Sequence, residues 1–163
     1  MNKNDKAVRT RSEHFDLEHF LPYRLSVLSN TVSQGIAHIY EREHDLTVTE
    51  WRIIAVLGRY PGLTASQVVE RTVMDKVTVS RAVRRLLERG LIKRSTMGAD
   101  RRCRQLELTQ EAGHKTLQSI VPRAHEYERA LLSEMSNADK QAMEAMLVRL
   151  QSAADRLEQS AGP

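Results

Sequence analysis

The chain of 163 residues holds one cysteine, Cys103. An internal disulfide framework and a multi-cysteine zinc knuckle are therefore excluded, and stability has to come from packing, within a subunit or across a dimer. Aromatic residues are scarce, at 4%. No apolar run approaches the roughly 20 residues that a membrane-spanning helix needs. The opening stretch MNKNDKAVRTRSEHFD has no apolar segment behind its basic residues, so it does not read as a secretory signal, and the expected location is the cytoplasm. Signatures of catalysis are missing as well: there is no glycine-rich phosphate loop, no serine elbow and no HExxH. The acid and histidine neighbours Glu13-His14, Glu18-His19 and His125-Glu126 have no third partner. Neither an enzyme nor a bound cofactor is expected. Six histidines suggest no metal site. His38 and His44 point to different faces of a helix, and His114 and His125 share a face but stand ~16 Å apart along it.

The chain does have enough apolar material for one core, at 40% hydrophobic residues with 28% charged. That suits a single domain with helical extensions. The net charge of +4 is unevenly spread. Residues 75–104 carry ten basic side chains against three acidic ones, a net +7, and the remainder carries fifteen against eighteen, a net −3. A basic stretch beside a slightly acidic remainder is the electrostatic footprint of a nucleic-acid-binding face. A merely solvated helix surface is the alternative reading of the charge alone.

Hydrophobic spacing divides the chain into elements. Residues 1–15 show no periodicity and read as a mobile arm. A helix is predicted from Pro22 to about His44, with Leu21, Leu25, Leu28, Val32, Ile36 and Ile39 on one face. After a break at Asp45-Leu46, Thr49 is expected to cap a second helix, with Trp51, Ile54, Val56 and Leu57 turned inward and Pro61-Gly62 as its end. Thr64-Ala-Ser-Gln67 is a capping-box pattern that opens the short helix ASQVVERT. Asp75 caps DKVTVSRAVRRLLERG, where Val79, Val83, Leu86 and Leu87 form the buried stripe and Gly90 stops the helix. The period then changes: Leu91–Thr96 and Arg104–Thr109 read as the arms of a hairpin with a basic tip. Thr109 is expected to cap a long helix to about Ser133, kinked at Pro122. Ser136 through Asp139 start a last helix whose stripe of Ala142, Met146, Leu150, Ala153 and Leu157 would be stranded in solvent on a monomer.

A helix, a short helix, a basic helix and a hairpin with a basic tip make a winged helix-turn-helix, mainly α with a small β-hairpin wing. Arg81 and Lys76 can donate to guanine O6 and N7, Thr78 can donate or accept, and Val77 can touch a thymine methyl. Arg84 and Arg85 are better placed for phosphates. Arginines at the wing tip, Arg101 and Arg102, suit a narrow and negative minor groove. A protein-interaction module with the same helical stripes would leave the basic wing unexplained.

The segment LTVTEWRIIAVLGRYPGLTASQVVERTVMDKVTVSRAVRRLLERGLIKRSTMGADRRCRQLELTQEAG closely resembles the MarR family of bacterial winged-helix regulators. The likeness spans about residues 17 to 157. Its most specific parts are DKVTVSRAVRRLLERGLIKR and Asp100-Arg101-Arg102 followed by Leu106-Glu107-Leu108-Thr109. The resemblance implies that Val77, Thr78 and Arg81 touch bases, that Arg102 enters the minor groove, and that Asp100 steadies that arginine. It also implies a homodimer in which the first helix and the last two helices interlock. The expected organisation is an arm over 1–15, an N-terminal dimerisation helix over 16–45, a DNA-binding domain over 46–109 and C-terminal dimerisation helices over 110–163. A two-fold dimer reads an inverted-repeat operator of about 16 to 20 base pairs, with half-sites about 34 to 36 Å apart.

Family members commonly release DNA on binding a small phenolic or anionic molecule, which makes a repressor the expected role. LEHFLPYRLSVLSNTVSQGI is similar to regulators of aromatic catabolism, including those that respond to hydroxycinnamoyl-CoA thioesters. The resemblance thus points to a small aromatic carboxylate or its CoA thioester as effector. Candidate ligand-binding groups are His19, Tyr23, Arg24 and Ser29 on the first helix, with Trp51 below. The competing reading makes Tyr23 and Trp51 core or interface residues and Arg24 a solvated cation. Control of drug or phenolic-stress resistance is the alternative role. A redox-responsive variant is another, because Arg101, Arg102 and Arg104 would lower the Cys103 pKa.

Overall fold

The structure is a computed structural model and describes residues 15–96 and 104–162. Residues 1–14 of the arm and the wing tip with Asp100, Arg101, Arg102 and Cys103 lie outside the described residues. A 3-10 turn at Leu17–His19 precedes helix α1, Leu21–His44, with Pro22 in its first turn. Helix α2 spans Val48–Arg59, strand β1 Leu63–Thr64, helix α3 Ala65–Thr72 and helix α4 Lys76–Glu88. Strands β2, Ile92–Thr96, and β3, Arg104–Leu108, form the hairpin, followed by helices α5, Gly113–Leu131, and α6, Asn137–Ala161. No helix among the described residues is long and apolar enough to cross a membrane.

Local chemistry explains the boundaries. The cap of α2 is Thr47 rather than Thr49: its hydroxyl accepts from the Glu50 N–H at 3.3 Å while Glu50 Oε2 accepts from the Thr47 N–H at 2.8 Å. Thr64 and Gln67 make the same reciprocal pair at α3, as do Ser136 and Asp139 at α6. Gly90, at φ +67°, ends α4 in a Schellman turn: the Leu91 N–H reaches Leu86 O and the Gly90 N–H reaches Leu87 O, each at 3.0 Å. Thr109 does not begin α5 directly. Its hydroxyl accepts from the Gly113 N–H at 2.9 Å, four residues on, and α5 then runs through Pro122 to Leu131, short of Ser133.

The three strands lie in the antiparallel order β1-β3-β2, with Leu63 opposite Leu106 and Ile92 opposite Leu108. Leu106 and Leu108 face inward and alternate with half-buried Gln105 and Glu107, as a one-faced sheet requires. The core joins Tyr40 and Leu46 to Ile53, Ile54 and Leu57 of α2, Val68 of α3, Val79, Ala82, Val83 and Leu86 of α4, the sheet leucines, and Ile120 of α5. Ala82 belongs to the buried stripe and Leu87 is only half-buried, the reverse of what side-chain size suggests. Residues 21–30 are all exposed, and α6 buries no side chain. The core thus holds the C-terminal half of α1, α2 to β3 and part of α5.

Candidate nucleic-acid interface

Helix α4 presents its basic face because the core takes the opposite one. At about 100° per residue, Val79, Ala82, Val83 and Leu86 cluster on one side, and Val77, Arg81 and Arg84 stand nearly opposite. The first four are buried, and Lys76, Val77, Thr78, Arg81 and Arg84 are exposed, Val77 by 56%. Asp75 fixes the start of this face. Its Oδ1 accepts from the Thr78 N–H at 2.9 Å and the Thr78 hydroxyl at 3.1 Å. Those two bonds, the backbone one first, hold the Asp75 carboxyl below its ordinary value. Because the Thr78 proton is spent on Asp75, Thr78 offers lone pairs outward and would accept from a base edge.

Cations on this face keep their charge available. Among the described residues, no carboxylate lies within 4.0 Å of Lys76, Arg81, Arg84, Arg94 or Arg104. Arg94 and Arg104, exposed on the wing strands, extend the basic surface toward the tip, and single-residue motif reading passed over both. Lys93 differs, since Glu107 across the hairpin sits 3.6 Å from it.

Arg85, expected at a phosphate, stands beside a carboxylate. At the edge of the outward face, its Nε lies 3.1 Å from Oε1 of Glu50, whose side chain is 1% exposed. The alignment is off the line of a hydrogen bond, so Oε1 has no hydrogen-bond donor and the attraction is charge on charge. Thr47 holds the other oxygen. Glu50 sits 35 residues from Arg85, and only the fold brings them together.

The expected ligand group is not assembled within one chain. Tyr23 and Arg24 line an open groove on α1 with Leu21, Leu25, Leu28 and Thr31. His19 Nδ1 lies 2.9 Å from Asp16, and Ser29 is exposed. Trp51 instead stacks on Tyr40, with ring centroids 5.6 Å apart. Tyr40 is 17 residues past Tyr23, about 25 Å along the helix, which is the physical reason the five do not converge. Trp51 has different neighbours. Arg52 donates to Ser33 Oγ at 3.0 Å and has no carboxylate within 4.0 Å among the described residues. The Tyr40 hydroxyl is fully buried without a hydrogen-bond partner, and burial pushes it up to about 12, with Glu41 adding and Arg52 opposing. Among the described residues, no cluster of three or more His, Cys, Asp or Glu is spaced to hold a metal.

Comparison with known proteins decides what this basic helix and wing belong to. Residues 44–102 match the model of the MarR family. The transcriptional regulator HosA of Escherichia coli is 30% identical over 105 residues, covering 64% of this chain and 76% of HosA. The chain belongs to the MarR family. The transcriptional repressor MprA of Escherichia coli K12 is 34% identical over 85 residues, 52% of this chain and 48% of MprA. The crystal structure of a MarR/EmrR family regulator from Acinetobacter sp. ADP1 superposes with a TM-score of 0.79 at 26% identity, covering 86% of this chain and 99% of that one. The chain is thus a MarR-type transcriptional regulator with a winged helix-turn-helix, and not an enzyme. Its α4 turns an exposed basic face outward from that MarR fold.

Proposed function

We propose that this MarR-type regulator represses transcription as a homodimer bound to an inverted-repeat operator, and releases it when a small aromatic carboxylate or its CoA thioester binds. The observation that carries the DNA-binding part is the outward face of α4, where Val77, Thr78 and Arg81 are exposed beside Lys76 and Arg84 with no acid at salt-bridge distance among the described residues. Val77, Thr78 and Arg81 read bases, Lys76 reads or steadies, and Arg84 neutralises a phosphate. Arg101 and Arg102, with Asp100 as orienting acid, complete the contact at the wing. Dimerisation is supported by the apolar side chains left in water on α1 and α6, among them Leu28 at 59% and Met146 at 60% exposure. The proposed organisation keeps 16–45 and 110–163 as dimerisation segments around a DNA-binding domain over 46–109, with 1–15 as an arm. Repression agrees with the name of MprA, a repressor with which this chain shares half its length.

The effector reading rests on Arg52, Ser33, Tyr40 and Trp51. Arg52 is a half-buried cation short of an anion, Tyr40 supplies a buried hydroxyl short of a partner, and Trp51 supplies an indole wall. His19, Tyr23, Arg24 and Ser29 reach such a site only if they come from the second subunit or line its mouth.

Fluorescence anisotropy tests both halves. Labelled DNA from upstream of the coding sequence is titrated at fixed salt, without and with p-coumaroyl-CoA, ferulate, vanillate, benzoate or salicylate. At least one compound is expected to weaken operator binding about tenfold or more, and Arg52→Ala to remove that response while leaving binding itself intact. No response to any of the five, or an undiminished response in Arg52→Ala, contradicts the effector assignment.

A further inference from the structure

We propose that Arg85 and Arg89 are positioning residues that fasten the recognition helix α4 to α2 and to the end of α1, and that neither neutralises a DNA phosphate. The two stand one turn apart at the C-terminal end of α4, on the same side. Arg89 Nη1 donates to Asp45 O at 2.6 Å and Nη2 to His44 O at 2.5 Å. His44 O is the last carbonyl of α1 and Asp45 O belongs to the residue that caps it; neither has a helical partner, and both lie at the negative end of a 24-residue helix. A guanidinium fork presents one nitrogen to each in a fixed plane, which a lysine head does not. Asp45 turns into the left-handed region at φ 47°, which closes the end of α1.

Arg85 is held by a different constraint. A phosphate that drew it away would leave the Glu50 carboxylate, 1% exposed, with Thr47 as its remaining partner. Glu50 is the buried member while Arg85 is itself 51% exposed, and taking the arginine away would strand the buried carboxylate, so the arginine stays. The far side of the same α1 terminus is tied to α5: His44 Nε2 lies 2.8 Å from Ser119 Oγ, and Glu43 pairs with Arg123. Arg89 therefore grips α1 at His44, the same residue that α5 grips. Helices α1 and α5 lead to the surfaces assigned above to the dimer, and the base-reading residues lie at the opposite end of α4, about 18 Å from Arg89 along the helix at Val77. Holding the far end of α4 sets the angle at which Val77, Thr78 and Arg81 enter the groove. The inference rests on the DNA-reading assignment made above.

Salt dependence separates a phosphate contact from a fastening. Affinity for the operator and for a random duplex is measured from low to high salt for the unmodified chain, Arg84→Ala, Arg85→Ala, Arg89→Ala and Arg89→Lys. Active protein is counted by stoichiometric titration, so that loss of folded material does not mimic loss of affinity. Arg84→Ala is expected to weaken both duplexes and to lower the slope of log affinity against log salt by about 0.9. Arg85→Ala and Arg89→Ala are expected to keep that slope and the random-duplex affinity, and to lose about tenfold on the operator alone. Arg89→Lys, with the charge kept and one donor head, recovers part of that loss. A slope reduced by about 0.9 in Arg85→Ala or Arg89→Ala overturns the proposal, as does unchanged operator affinity. Absence of operator binding by the unmodified chain overturns the DNA-reading assignment itself and this inference with it.

Discussion

Glutamate introduced together at Leu28 and Leu150 is expected to leave a folded monomer that no longer holds its operator. Leu28 is 59% exposed on α1 and Leu150 40% exposed on α6, and neither belongs to the core that packs α2 to β3. The substitutions cost the subunit little, since each glutamate stays in water. In a dimer, each would be an unpaired charge pressed into an apolar seam, which removes the drive to associate. Two linked heads bind two half-sites with an effective concentration that a lone head lacks, so operator affinity is expected to fall by about 100-fold or more. Sedimentation checks the mass, circular dichroism the fold, and anisotropy the binding. A variant that remains dimeric with full affinity would show that these faces do not form the interface.

The second large effect concerns Gly113. Alanine for glycine normally stabilises a helix by up to about 1 kcal/mol. Here the sign reverses. Gly113 is buried at the first residue of α5, where a Cβ would collide with the Leu91 carbonyl oxygen and crowd Leu108. That oxygen is backbone and already accepts from the Thr109 N–H at 3.0 Å. It cannot swing away as a flexible side chain would. Helix α5 must lift from the hairpin and loosen the Thr109 contacts with Gly90, Leu91 and Gly113. A cost of about 1–3 kcal/mol is expected. That corresponds to about 2–12 °C in melting temperature for a chain of this size, measured at one protein concentration. A melting temperature equal to or above that of the unmodified chain would contradict the packing described at this junction.

Much of the fold was legible because its strongest signals are local. Asp75, the stripe Val79, Val83 and Leu86, and Gly90 bracket α4 within sixteen residues, and each acts through its near neighbours. The cap of α2 was legible too, since Thr47 and Glu50 have capping-box spacing, but Thr49 two residues later competed with it. Strand β1 has only two residues and shows no period of its own. It exists because β3 offers it an edge. The outward face of α4 follows from its buried stripe by helix geometry alone, so the exposure of Lys76, Val77, Thr78, Arg81 and Arg84 was legible. The Glu50 neighbour of Arg85 was not legible, because composition cannot reveal a buried carboxylate on another helix. Trp51 was grouped with Tyr23 for a similar reason: polar and aromatic types on successive helices suggest a site, but the pairing of Trp51 with Tyr40 is set by where α2 crosses α1.

The central claim is that the outward face of α4 reads DNA sequence, and anisotropy of Arg81→Ala beside the unmodified chain, on operator and random duplexes, tests it most directly. The account predicts a loss of about 1–3 kcal/mol on the operator, relaxed preference at one base pair of each half-site, and an unchanged melting temperature. Equal operator affinity in the two proteins, or no salt-sensitive preference for any upstream sequence by the unmodified chain, would contradict it.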